Sequence, residues 1–111
     1  MDAKTKTATI AKLNDAFRQS LIGGQVMLTA GVNDLDGKSK AKLLNKVRNF
    51  ETFTKNNDPH GEHDFGKIEI EGQNYFWKID YYNLTLDGGS EDPANPAVTT
   101  RVLTIMRSDE Y

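Results

Sequence analysis

"KIEIEGQNYFWKIDYY", Lys67 to Tyr82, decides the fold of this chain. Ile68 and Ile70 alternate with Lys67, Glu69 and Glu71. After a turn around Gly72 and Gln73, Tyr75, Trp77, Ile79 and Tyr81 share one face. Two runs with a period of two, joined by a glycine-containing turn, predict an antiparallel β-hairpin. The opposite face of the second strand carries Phe76, Lys78, Asp80 and Tyr82. That mixed set predicts that something packs or binds there.

Working outward, Ile10, Leu13, Phe17 and Leu21 step by three, four and four, which predicts an amphipathic helix from about Thr7 to Leu21, ended by Gly23 and Gly24. "QVMLTAGV", Gln25 to Val32, is short, apolar and partly β-branched, and predicts a well-buried strand. Asn and Asp cap candidates then open "NDLDGKSKAKLLNKVRNFETF". Here Leu43, Leu44, Val47, Phe50 and Phe53 predict a second helix with a lysine-rich outer face. Downstream of the hairpin, Asn83 to Ala97 holds Gly88, Gly89, Pro93 and Pro96 and predicts a long ordered loop or flap. Val98 to Met106 returns as a last strand before the polar "RSDEY". The order αβαβββ predicts one α+β domain over residues 1–111, with 1–6 flexible. Two helices are expected to cover one face of a mainly antiparallel sheet of about four strands.

Composition narrows the function classes. At 111 residues the chain has room for one core, burying roughly 65% of its unfolded surface. With 14 Lys plus Arg against 16 Asp plus Glu, the formal charge is −2. No overall field would gather nucleic acid or anionic membrane. The cluster Lys38, Lys40, Lys42, Lys46 and Arg48 is the one local basic patch, read as a solvated helix face. The absence of cysteine excludes disulfides, thiolate metal sites and a cysteine nucleophile. No stretch approaches the roughly 18 apolar residues of a membrane span, and a cytoplasmic protein is expected.

"GGQVMLTAGV", "NDPHGEHDFG", "FWKIDYY" and "PAVTTRVLTIM" occur together and in this order. In them the chain resembles a family of small bacterial proteins catalogued as domain of unknown function 3768, from about Ile10 to Tyr111. The resemblance implies a single bacterial domain of a kind often found on plasmids and other mobile elements. No activity is assigned to that family, so no catalytic residue is carried over.

The candidate site is "NDPHGEHDFG", Asn57 to Gly66, which holds both histidines, His60 and His63, beside Asp58, Glu62 and Asp64. Imidazole plus carboxylate is a ligand set for zinc, manganese or iron, with a third ligand from Asp80 or elsewhere. Pro59 and Gly61 make the segment a loop and not a metalloprotease helix. A second reading is acid–base catalysis by His60 or His63 with Glu62 and Arg101, the ingredients of compact microbial ribonucleases. The third is structural: Asn57 and Asp58 cap a turn, Gly61 and Gly66 supply unusual dihedrals, and a histidine serves as a two-ended strut. The residues favour this third reading, with no cofactor. Arg101, in a β-branched run, is expected on an exposed sheet face or beside a carboxylate, with Asp80 as candidate.

Two functions follow as expectations. The first is a protein-binding or regulatory module of a mobile element, for example in counter-defence. It would bind through Asp58, His60, His63, Asp64, Phe76, Lys78, Asp80, Tyr82 and Arg101. The alternative is a small hydrolase or nuclease, with or without a divalent metal, using His60, Glu62 and His63, supported by Asp80 and Arg101. The expected partner is another protein, not nucleic acid or a membrane.

Overall fold

The computed structural model describes residues 1–111. The hairpin forms as β2 (Phe65–Ile70) and β3 (Gln73–Tyr82), with Ile68 opposite Tyr75 and Ile70 opposite Gln73. Its two-residue turn is Glu71–Gly72, one residue earlier than the sequence suggests. Both turn residues have positive φ, 52° and 82°. That combination matches the right-handed twist of the flanking strands. Gly72 takes this conformation freely; Glu71 takes it under the demand of the register.

β4 (Thr100–Arg107) pairs antiparallel with β3, and β1 (Gly24–Leu28) pairs parallel with β4. The four strands lie in the order β1-β4-β3-β2. The fold is α+β, as expected, and the sheet is mixed: two pairings are antiparallel and one is parallel. β1 corrects the sequence reading in both length and burial. It stops at Leu28, and Thr29 leads into a single helical turn, α2 (Ala30–Asn33). Gly24 to Met27 are exposed, because β1 is an edge strand and not a central one.

The long helix α1 (Ala3–Ser20) begins before Thr7. Asp2 caps it by accepting the Thr5 N–H at 2.7 Å, so Ala3 to Lys6, expected to be flexible, are helical. Leu21, in a left-handed conformation with φ 60°, ends it ahead of the two glycines. α3 (Gly37–Arg48) is capped by Asp36, which accepts the Ser39 N–H at 2.7 Å. It stops short of Phe50 and Phe53 because Arg18 of α1 captures the backbone there. The Arg18 Nε donates to Val47 O at 3.0 Å and Nη2 to Phe50 O at 2.8 Å.

The core lies on one face of the sheet. Phe17 of α1, Val32 of α2 and Leu43 and Val47 of α3 close over Ile68, Tyr75, Trp77, Ile79, Leu103 and Ile105. Trp77 is fully buried, and it faces Gly66 across the hairpin. A Cβ at Gly66 would overlap the indole, so the glycine makes room for the tryptophan. With every helix on this side, the other face of the sheet carries none. No helix is long and apolar enough to cross a membrane.

Candidate functional site

The histidine loop runs from the end of α3 to β2. The Asn57 side chain holds its start, accepting the Thr54 N–H at 2.8 Å and donating to Thr52 O at 2.8 Å. Asp58 is buried and accepts the backbone N–H of His63 at 3.2 Å. That closes a tight turn in which Gly61 (φ 70°) and His63 (φ 55°) are both left-handed. The His63 ring stacks on Phe53 at 3.9 Å with an interplanar angle of 1°. Its Nδ1 lies 2.9 Å from Asp15 on α1, and its Nε2 lies 3.8 Å from Asp58. Since the two ring nitrogens point in opposite directions, Asp15 and Asp58 do not share a centre. His60 is exposed at the loop tip. No group of three or more His, Asp and Glu is placed to hold a metal ion.

Glu62 and Arg101 belong to a second, connected set of contacts. Asn14 of α1 is fully buried and binds three partners: its Nδ2 donates to Glu62 O at 3.0 Å and to the Tyr81 hydroxyl at 2.8 Å, and its Oδ1 accepts from Arg101 Nε at 2.7 Å. Tyr81 donates in turn to Glu62 Oε1 at 2.8 Å. Arg101 Nη2 donates to Pro93 O at 2.6 Å, and its guanidinium lies 5.2 Å from the Tyr81 ring centroid. Burial lowers the Arg101 pKa, and the nearby Tyr81 and Glu62 work against that shift. Burial and the hydrogen bond to Glu62 push the Tyr81 hydroxyl well above its ordinary value. The carboxyl of Asp64 is also raised, by burial and then by the charge of Glu62.

The expected pairing of Arg101 with Asp80 does not form. Their strands are neighbours, but Arg101 is opposite Tyr81 and Asp80 is opposite Val102. Alternation then sends Arg101 into the helix-covered face and Asp80 to the open one. Asp80 pairs instead with Lys78, two residues along its own strand, at 3.0 Å. The hydrogen bond to Asp80 raises the pKa of Lys78.

The open face is a groove of about 660 Å³. Lys78, Asp80 and Tyr82 line it from β3, Val102, Thr104 and Met106 from β4, and Gln25 and Met27 from β1. Val102 and Met106 are buried even though no helix covers this side, because the walls rise around them. One wall is Leu86, from the turn after β3. The Gly88 to Pro96 part of the predicted loop or flap is drawn to the helix side. Pro93 O binds Arg101 there, and Asp92 lies 3.6 Å from Lys6. The other wall is the chain after β4. Ser108–Glu110 forms a 3₁₀ turn, Glu110 accepts from Thr29 Oγ1 at 2.6 Å and from Gly31 N–H at 2.8 Å, and Tyr111 packs on Phe76 at 5.4 Å. Phe76, on the same face, also meets Phe65 at 5.2 Å. Of the groove residues, sequence reasoning named only Lys78, Asp80 and Tyr82 and missed those from β1, β4, Thr29, Leu86 and the end of the chain. The β4 members were readable: positions 102, 104 and 106 alternate with the apolar Leu103 and Ile105.

The matched family spans residues 28–110 and is described as "Protein of unknown function (DUF3768)". The chain belongs to this family. The DUF3768 match takes in α3, the histidine loop and β2 to β4, whereas the resemblance read from the sequence starts near Ile10. Asn14, Asp15 and Arg18 therefore lie outside the DUF3768 segment, although they hold its loop, its Arg101 and the end of its α3. No curated protein and no solved structure matches the chain.

Proposed function

We propose that this chain is a protein-binding module, with the open sheet face as its recognition surface. On this reading it acts as a cytoplasmic regulator, for instance in counter-defence, in keeping with the bacterial mobile-element setting that the resemblance implies. One observation carries this reading: the helix-free face has walls, an apolar floor and a central Lys78–Asp80 pair. A volume of about 660 Å³ falls within the roughly 300–1,000 Å³ range of ligand sites. Its apolar floor with few polar groups suits side chains of a partner, with the charged pair fixing their orientation.

The alternative hydrolase or nuclease needs side chains that meet in accessible space. His63 and Arg101 are instead turned onto Asp15 and Asn14. The lysines of α3 do not line the groove, where Lys78 is the one cation and is paired.

The test is site-specific photo-crosslinking in the native host. A photoreactive residue at Thr104, inside the groove, captures a defined partner protein; the same residue at Lys46, on the exposed face of α3, does not; and Lys78→Glu abolishes the Thr104 product. No product at Thr104, or the same products from both positions, overturns the proposal.

A further inference from the structure

The two edges of the sheet are built differently. On the β2 edge, Lys67 and Glu69 are exposed and Glu71 follows in the turn. Charged side chains on an edge guard it against pairing with another strand. The β1 edge has no such guard. No charged residue occurs between Arg18 and Asp34, in a chain of which 27% is charged. Ile22, Val26 and Met27 stand 78%, 36% and 55% exposed along it. β1 also has neither proline nor bulge, since Gly24 to Leu28 match Arg101 to Ile105 one for one.

The direction of its backbone groups follows from one contact. Thr29 N–H donates to Ile105 O at 3.1 Å, toward β4. By the alternation of a parallel ladder, Gln25 and Met27 also bond to β4, and the N–H and C=O of Gly24, Val26 and Leu28 point to the free side. Three residues with outward groups, centred on Val26, form a self-complementary edge.

We infer that β1 pairs antiparallel with β1 of a second copy of this chain, about a two-fold axis at Val26. Val26 exchanges both backbone hydrogen bonds with its counterpart, and Gly24 does the same with Leu28 of the other copy. Gln25 then stands opposite Met27 on the open face. Each copy carries a formal charge of −2, but the contact strip is neutral, so like charges do not meet there. The axis runs perpendicular to the sheet, so both grooves lie on the same side and adjoin along Gln25 and Met27. Pairing runs through the backbone of β1 and does not rest on the proposed function of the groove. A five-residue edge is about 17 Å long. With Ile22 and Met27 beside it, it makes a small interface, and a concentration-dependent dimer is expected.

Sedimentation from about 1 µM to about 500 µM tests this, the full chain passing from monomer to dimer. Val26→Lys places two lysines directly opposite each other across the axis, with Cα atoms about 5.5 Å apart, and like charges facing each other in this way are destabilising. Val26→Pro removes only an outward N–H, a change that edge strands tolerate. Both variants are expected to stay monomeric. In this cysteine-free chain Val26→Cys forms a disulfide-linked dimer under mild oxidation, at least tenfold faster than Lys46→Cys, because the paired Cα separation suits the bond. A parent chain that remains monomeric throughout, or a dimer that survives both Val26→Lys and Val26→Pro, overturns the inference. If circular dichroism shows those two variants unfolded, the Val26→Cys rate decides: equal to Lys46→Cys, it overturns the pairing.

Discussion

Arg101 Nε donates to Asn14 Oδ1 at 2.7 Å, joining residues 87 positions apart where α1 crosses the sheet. Asn14 also serves Glu62 and Tyr81, so a single amide holds an arginine, a loop carbonyl and a phenol. Asn14→Ala removes one partner from each of the three, while Tyr81 keeps Glu62 Oε1 and Arg101 keeps Pro93 O. Buried groups left without partners cost about 1–3 kcal/mol each, and partial relaxation brings the expected loss to about 2–4 kcal/mol. Urea unfolding followed by the fluorescence of Trp77, the chain's only tryptophan, measures it. A loss below about 0.5 kcal/mol means that the network contributes little.

The two histidines should separate cleanly. His63 stacks on Phe53, meets Asp15 and occupies a left-handed position, whereas His60 is exposed. His63→Ala is expected to cost about 1–2 kcal/mol, from the lost stack and hydrogen bond. His60→Ala should stay within about 0.5 kcal/mol of the parent. His63→Asn tests the backbone separately, because asparagine tolerates positive φ and should recover part of the loss. Thermal unfolding of the three variants decides. An equal effect at both positions would contradict the assignment of His63 as the structural member.

The hairpin and its buried face were legible because a period of two over a long, aromatic-rich run has few competing readings. The one-residue error in its turn came from Glu71, a residue type that gives no local sign of a left-handed conformation. β1 was misjudged for a different reason. An uncharged apolar run looks buried, yet here it forms an edge, and edge or centre is decided by the order β1-β4-β3-β2, which no local pattern encodes. The polar network was hidden because Asn14 and Arg18, at the edge of the apolar stripe of α1, are buried together with Ile10 and Phe17, and polar residue types give no local sign of burial. Arg101 is a case where the signal was present: counting back in twos from Ile105 and Leu103 puts it on the buried face.

Gly66 and Trp77 make the packing of the hairpin testable. Gly66→Ala introduces a methyl where the Trp77 indole and the Phe50 ring already sit. Overpacking of this kind commonly costs 1–3 kcal/mol, and with two rigid rings as neighbours about 3 kcal/mol or more is expected. A shift in Trp77 emission should accompany the loss, because the displaced ring is the reporter. Parent-like stability and emission would mean that the strands can separate at this point without penalty.

Asp64 sets a pH dependence with an uncommon sign. Burial and the charge of Glu62 raise its carboxyl above the ordinary 3.8. Between 3.8 and that raised value, the folded chain holds more protons than the unfolded one, so stability falls as pH rises through the window. Above the window the cost is fully present. Asp36 and Glu110 act the other way. Hydrogen bonds from Ser39, and from Thr29, Arg107 and Gly31, lower their pKa values, so their contributions are lost as pH falls through the lowered values. A melting curve of the parent alone mixes the two signs, and the difference from Asp64→Asn isolates one. The variant should melt above the parent at about pH 7, and the gap should close as pH falls below about 4. A gap of the same size at both ends would trace the gain to packing or hydrogen bonding of the amide, and a variant that melts lower at neutral pH would reverse the sign assigned to Asp64.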